Sequence, residues 1–261
     1  MFIRIISALV GIPLLLAIVL KGGMVLRLSV GLMACIGLNE FFNAFHNIDI
    51  KPSKIIGFMS IFLLFSLSYF LVFTEAIAFW FFSVIILVLT NNLFNKKANI
   101  QDSCVTLLGI FYVVFFMFHI VMVSNIDKYN YLIWMIFLSA WATDTFAYFT
   151  GYFFGTRKLC PTISPKKTVE GSLGGVIGSI FVSAIFAYFI DITVLSHCMI
   201  IGFIGSISAQ IGDLTASSFK RYVGIKDYGK IMPGHGGVLD RFDSILFTAP
   251  TVYYYIVFLL K

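Results

Sequence analysis

The chain has 261 residues, of which 60% are hydrophobic and 11% are charged. Soluble domains average roughly 45–50% apolar and 25% charged residues, so this composition excludes a soluble globular protein and indicates an integral membrane protein. The formal net charge of +6 does not predict a nucleic-acid partner, because cytoplasmic loops of membrane proteins carry such an excess.

Apolar residues recur in blocks of about twenty, and a helix of that length crosses a hydrocarbon core ~30 Å thick. The pattern predicts an all-α polytopic membrane protein, one domain over residues 1–261, with about nine transmembrane helices. The spans are predicted near residues 5–20, 24–39, 55–73, 76–94, 104–124, 131–150, 172–190, 197–216 and 244–260. The first block resembles a signal peptide, but no small-residue cleavage site follows it, so we interpret it as a retained span. The first two spans alternatively form a short helical hairpin.

Basic residues predict the orientation of the helices. Fourteen of the eighteen lie at the N-terminus or in loops after spans two, four, six and eight, whereas Lys21, Arg27, Lys128 and Lys261 lie on the other side. The positive-inside rule therefore predicts a cytoplasmic N-terminus and a C-terminus outside.

Polar residues concentrate in two segments, residues 143–172 and 212–244, which contain the predicted polar loops 151–171 and 217–243. Asp144 is predicted inside the sixth span and Asp213 inside the eighth. An ionised carboxylate there costs roughly 2.5–3.5 kcal/mol on insertion scales, so both residues need compensating partners.

Asp240 and Asp243 are three residues apart, so their carboxylates share a face if the ninth helix begins near Leu239. Together with Asp213 they form a set of oxygen ligands that suits Mg²⁺, which one or two carboxylates and substrate phosphates typically hold. The alternative is that Asp240 and Asp243 only interact with the dipole at a helix N-terminus.

Basic residues in the same segments predict an anionic partner such as a triphosphate. The alternative is that they serve orientation and contact with anionic lipids. The glycines near His235 allow backbone N–H groups to approach an anion closely. The basic candidates are Lys166, Lys167, Lys220, Arg221, Lys226 and Arg241.

The C-terminal half resembles phosphatidate cytidylyltransferases, also called CDP-diacylglycerol synthases. The resemblance rests on residues 217–243, here called the signature segment, with upstream support from residues 144–151 and 163–171. The N-terminal half resembles the family mainly in hydropathy. The matching residues are Ser217-Ser218-Phe219-Lys220-Arg221, Lys226-Asp227 and His235-Gly236-Gly237-Val238-Leu239-Asp240-Arg241-Phe242-Asp243, and upstream Asp144-Thr145-Phe146-Ala147-Tyr148 with Ile163-Ser164-Pro165-Lys166-Lys167-Thr168-Val169-Glu170-Gly171.

The resemblance implies an enzyme that joins phosphatidate and CTP to give CDP-diacylglycerol and pyrophosphate. It implies Mg²⁺, with a second cation left open, in a multi-pass protein of the bacterial cytoplasmic (inner) membrane, and it allows a homodimer. The expected catalytic residues are Asp213, Asp240, Asp243, Asp144, Lys220 and Arg221. The expected substrate-binding residues are Lys166, Lys167, Ser164, Lys226, His235, Gly236, Gly237 and Arg241.

Some roles and functions stay open at this point. His235 is interpreted as a phosphate donor, with a general base or an ordinary loop histidine as alternatives. A CTP-dependent polyprenol or dolichol kinase would transfer the γ-phosphoryl group instead, and an ion-coupled transporter would also use buried Asp144 and Asp213. A phosphatidyl-group transferase is disfavoured, since Ser244 follows Asp243 where its motif requires Gly.

Overall fold

The computed structural model describes residues 2–95, 99–231 and 236–260. These residues form ten α-helices and one β-hairpin. The helices are α1 Phe2–Lys21, α2 Gly23–Phe45, α3 Lys54–Phe70, α4 Phe73–Phe94, α5 Ile100–Gly109, α6 Phe116–Ser124, α7 Ile133–Phe154, α8 Val169–Ile190, α9 Leu195–Tyr222 and α10 Leu239–Tyr255. The antiparallel strands are β1 Lys158–Cys160 and β2 Ser164–Thr168. A π-helical segment, Ile110–Phe115, joins α5 to α6, and another, Ile256–Leu260, extends α10.

Each predicted span overlaps helical residues, and seven helical segments of the described chain are long and apolar enough to cross a membrane. They are Gly23–Ile48, Phe73–Phe94, Ile100–Ser124, Asn130–Phe154, Val169–Ile190, Ile192–Tyr222 and Leu239–Leu260. The prediction of an all-α, multi-pass membrane protein is confirmed. The count of nine spans and the side of each terminus stay predictions.

The chain divides into two compact units: the first comprises Met1–Met122 and Tyr222–Arg241, and the second comprises Val123–Arg221 and Phe242–Lys261. The prediction of a single membrane domain is not tested by this division.

Aromatic and aliphatic side chains of α2 fill the core of the first unit, where Leu38, Phe41 and Phe42 are fully buried. Glycines on neighbouring helices make room for these large side chains. A Cβ at Gly57 would lie 2.7 Å from the Phe42 ring, and one at Gly109 would overlap the same ring. The helices of this unit therefore meet through large residues on α2 and small residues opposite them.

Small and hydroxyl-bearing residues join the helices of the second unit. The Ser179 hydroxyl of α8 donates to the Gly202 carbonyl of α9 at 2.8 Å, and the Thr248 hydroxyl of α10 donates to the Ile136 carbonyl of α7 at 3.1 Å. Since lipid tails are as apolar as the helices, such close contacts and hydrogen bonds drive helix association in membranes. They hold together the four helices that carry most of the predicted site.

Candidate active site

The second unit contains a cleft with a volume of about 500 Å³. The cleft lies among α7, the β-hairpin, the start of α8, and α9. Its polar and charged lining residues are Thr143, Asp144, Tyr148, Tyr152, Lys158, Lys166, Lys167, Thr168, Ser172, Gln210 and Asp213. Three lysines and two aspartates thus face one space, which suits a ligand that carries several negative charges.

Close packing of α7 against α8 forms one wall of the cleft. A Cβ at Gly171 would lie 2.8 Å from the Ala147 carbonyl oxygen, and a Cβ at Gly175 would lie 3.0 Å from the Thr143 carbonyl oxygen. Any larger residue at either position would push the two backbones apart. The glycines of α8 therefore fix the position of α7, which carries Asp144.

The β-hairpin is fastened to the start of α8 by two side chains. Thr168, the N-cap of α8, accepts a hydrogen bond from the Gly171 N–H at 3.1 Å, which satisfies one of the donors left unpaired at a helix start. The Glu170 carboxylate accepts hydrogen bonds from the Thr156 hydroxyl at 2.6 Å and from the backbone N–H groups of Thr156 and Arg157. The strand that carries Lys166 and Lys167 is therefore held at its helical end.

Helix α9 also contacts the hairpin through Arg221, a predicted catalytic residue. Its Nε donates a hydrogen bond to the Ile163 carbonyl, in the hairpin turn, at 3.4 Å. Two turns earlier in α9, Asp213 forms an ion pair with Lys167 of β2. Their side chains are 25% and 27% exposed, so the pair lies at the wall of the cleft and is open to a ligand.

Asp243 of α10 lies near the same charges. A Cβ at Gly212 would lie only 2.5 Å from the Asp243 carbonyl oxygen, so α9 and α10 cross with their backbones in close approach. The Asp243 carboxylate interacts electrostatically with Asp213, Asp144 and Lys220. The second unit thus gathers three predicted acidic residues with Lys220, whose side chain is buried.

These acidic residues also provide a test of the predicted cation. In the described part of the chain, no group of three or more His, Cys, Asp and Glu side chains is arranged to hold a metal ion. The oxygen donors of Asp213 and Asp243 nevertheless fit Mg²⁺, which one or two carboxylates suffice to hold when substrate phosphates supply further ligands. A divalent cation would also offset the repulsion among Asp243, Asp213 and Asp144.

Several other predicted residues belong to the first unit. Asp240 is buried, and its Oδ2 accepts hydrogen bonds from the Tyr228 N–H at 2.8 Å and the Gly237 N–H at 3.0 Å. Gly236 has a φ of 86°, which side chains rarely adopt, so this turn requires glycine. Arg241 is exposed.

The predicted residues thus fall into two groups. Asp144, Lys166, Lys167 and Asp213 line one cleft, and Lys220, Arg221 and Asp243 lie in the same unit. Lys226, Gly236, Gly237, Asp240 and Arg241 belong to the first unit. Ser164 is half-buried at the start of β2 and is absent from the lining of the described cleft. His235 lies outside the described residues.

The site residues predicted from the sequence do not include several residues that line the cleft. Tyr148 and Tyr152 lie four and eight positions after Asp144, and their rings stack with centroids 6.3 Å apart. Gln210 lies three positions before Asp213, and its side-chain oxygen accepts a hydrogen bond from the Ser172 hydroxyl. Residues three or four apart share a helix face, so these positions could have been found by following α7 and α9 from their aspartates.

Comparisons with known proteins cover nearly the whole chain. The cytidylyltransferase family profile matches residues 2–259. The chain is 35% identical over 261 residues to the phosphatidate cytidylyltransferase of Staphylococcus haemolyticus and 37% identical over 258 residues to that of Staphylococcus saprophyticus, with 96% of each chain covered in both cases. It is 34% identical over 258 residues to the phosphatidate cytidylyltransferase of Staphylococcus aureus, again with 96% coverage.

Proposed function

Because the chain belongs to the cytidylyltransferase family, we propose that it transfers the cytidylyl group of CTP to phosphatidate, giving CDP-diacylglycerol and pyrophosphate. The family resemblance drawn from the signature segment is thereby confirmed. The relatives named above are phosphatidate cytidylyltransferases that match this chain over 96% of both lengths, which supports the same reaction in lipid biosynthesis here.

The observation that carries the proposal beyond the family is the charge pattern of the cleft. Lys158, Lys166 and Lys167 line it together with Asp144 and Asp213. A triphosphate and a phosphate monoester are both polyanions, so cationic side chains are needed to bring them together. The aspartates supply the oxygen donors through which a cation would join the same phosphates.

The reaction requires little proton transfer. A phosphate monoester with a second pKa of about 6 is largely dianionic at pH 7, so the lipid phosphate needs no strong general base. One of its oxygens forms a bond to the α-phosphorus of CTP, while the bond from that phosphorus to the bridging oxygen breaks and pyrophosphate leaves. Positioning and neutralisation of charge are therefore the main tasks of the protein.

Residues of the second unit are suited to these tasks. We assign neutralisation of the departing pyrophosphate to Lys166, Lys167 and Lys220. Arg221 donates to the hairpin turn through Nε, so its role includes holding the strand that carries the two lysines.

The proposed cofactor is Mg²⁺, held by Asp213 and Asp243. When bound, Mg²⁺ would supply charge stabilisation at the phosphoryl oxygens. Asp240, the third predicted ligand, and a second cation stay sequence-based predictions. Nine membrane spans, a cytoplasmic N-terminus, the bacterial cytoplasmic (inner) membrane and a homodimer also belong to the proposal, and the basic residues near the cleft support its cytoplasmic side.

The reaction is tested with CTP labelled separately at the α and γ phosphates. Purified protein in detergent, given phosphatidate and Mg²⁺, is expected to move the α label into a lipid product and to release the γ label as pyrophosphate. Transfer of the γ label into lipid would establish a CTP-dependent lipid kinase instead. If neither label enters lipid, the proposed reaction is wrong.

A further inference from the structure

A buried carboxylate in the N-terminal half contacts the start of α10, which lies at the end of the signature segment. Glu40 lies near the end of the apolar helix α2 and is only 4% exposed. Its Oε1 accepts a hydrogen bond from the Val238 N–H at 3.0 Å, and its Oε2 accepts one from the Leu239 N–H at 2.8 Å. One side chain therefore binds two consecutive backbone groups about two hundred residues away in sequence.

The two donors are among those that a helix cannot satisfy by itself. Helix α10 begins at Leu239, and the first N–H groups of a helix have no partner within it. A carboxylate at this position also interacts favourably with the positive end of the helix dipole. Glu40 thus acts as a helix cap supplied by a distant part of the chain.

Two glycines, Gly229 and Gly237, pack directly against the same carboxylate. A Cβ at Gly237 would lie 2.5 Å from both Glu40 oxygens, and a Cβ at Gly229 would overlap Oε1. On the other side of Gly237, its N–H donates to Oδ2 of Asp240 at 3.0 Å. Gly237 is therefore fixed between two carboxylates, and only a residue without a side chain fits there.

We propose that Glu40 is a positioning residue for the reaction. It orients the turn at Gly236 and Gly237, here called the glycine turn, and the first residues of α10, so turnover depends on it although it does not touch the substrates. The proposal rests on the proposed function, because the glycine turn and Asp240 matter for turnover only if the signature segment serves the cytidylyl transfer.

The chemistry of the contact predicts which substitutions matter. Glu40→Gln keeps the shape but turns an N–H group of the amide towards a backbone N–H, so one of the two donors loses its acceptor. Glu40→Asp keeps the charge but is one methylene shorter and cannot reach both donors. Glu75→Gln is the matched control, because Glu75 is an exposed helical residue of the same unit.

The test combines hydrogen exchange with steady-state kinetics on the full-length protein in detergent. With Glu40→Gln, we expect faster exchange in peptides covering residues 236–241 and unchanged exchange in the hairpin, residues 158–168. We expect kcat to fall roughly tenfold or more, with KM for phosphatidate changed less than about threefold, because misplacement of a site acts mainly on turnover. Glu40→Asp should show the same changes in exchange and kcat as Glu40→Gln. Glu75→Gln should have the exchange and kcat of the parent protein.

Two results would overturn the proposal. One is unchanged exchange at residues 236–241 in Glu40→Gln, which would remove the positioning contact. The other is normal kcat per folded molecule when the contact is demonstrably loosened, which would reduce Glu40 to a role in folding. If the parent protein forms no CDP-diacylglycerol, the proposed function fails, while the exchange comparison still decides whether Glu40 holds the start of α10.

Discussion

Replacement of Gly212 by alanine tests how closely the reaction depends on the crossing of α9 and α10. The new Cβ would lie 2.5 Å from the Asp243 carbonyl oxygen and 3.1 Å from the Phe247 ring. The first distance is about 0.9 Å shorter than the 3.4 Å at which ordinary contact begins. Because the obstacle is backbone, the two helices have to separate. Such overpacking typically costs about 1–3 kcal/mol of stability.

The same displacement acts on the site, because Gly212 precedes Asp213 and the obstructing carbonyl belongs to Asp243. A misplacement approaching 1 Å can lower turnover by about 10²-fold, so we expect Gly212→Ala to lower turnover by roughly tenfold to a hundredfold. The assay is CDP-diacylglycerol formation from α-labelled CTP, with thermal unfolding measured in the same detergent. Gly31→Ala is the control, since its Cβ would make an ordinary 3.5 Å contact with the Phe65 ring. Full activity of Gly212→Ala at normal stability would refute the argument.

Three further outcomes are expected. Lys167→Met should lower turnover about 10²-fold or more, because a donor to the charge of the transition state is lost. Lys128→Met, on an exposed loop of the same unit, should leave turnover unchanged. Equal turnover of the two variants would contradict the role of the cleft. Asp243→Asn should remove most activity and weaken the Mg²⁺ dependence of nucleotide binding, and an unchanged Mg²⁺ titration would leave this residue outside the cation site. A single cysteine at position 166, in a cysteine-free background, should be labelled only from the cytoplasmic side; labelling from outside would reverse the predicted orientation.

Much of the helical architecture could be predicted from hydropathy, because a block of about twenty apolar residues has few alternatives to a membrane-spanning helix. The hairpin at residues 158–168 could not. It is short, polar and interrupted by Pro161 and Pro165, so it has the composition of a loop. The contacts that Glu170 makes with Thr156, just before β1, and that Arg221 makes with the hairpin turn cannot be predicted from the local pattern.

The candidate site was only partly predictable for a similar reason. The residue types at Asp144, Lys167 and Asp213 indicated an anionic ligand with a cation, and the structure brings these three to one cleft. The sequence left open which cation balances Asp213, and the structure pairs it with Lys167. Glu40 was missed because it lies with Asn39 between two apolar stretches, outside both polar segments. Its role depends on a partner in the last tenth of the chain.

The separation between Glu40 and its partners has a consequence for the synthesis of the protein. Leu239 follows Glu40 by 199 residues, and a ribosome adding about 5–20 residues per second needs roughly 10–40 s to cover that distance. During this interval α2 is already made, while the backbone N–H groups that donate to the Glu40 carboxylate do not yet exist. The nascent chain therefore carries an uncompensated acid in an apolar helix until translation is nearly complete, and a product that stops before α10 keeps it permanently.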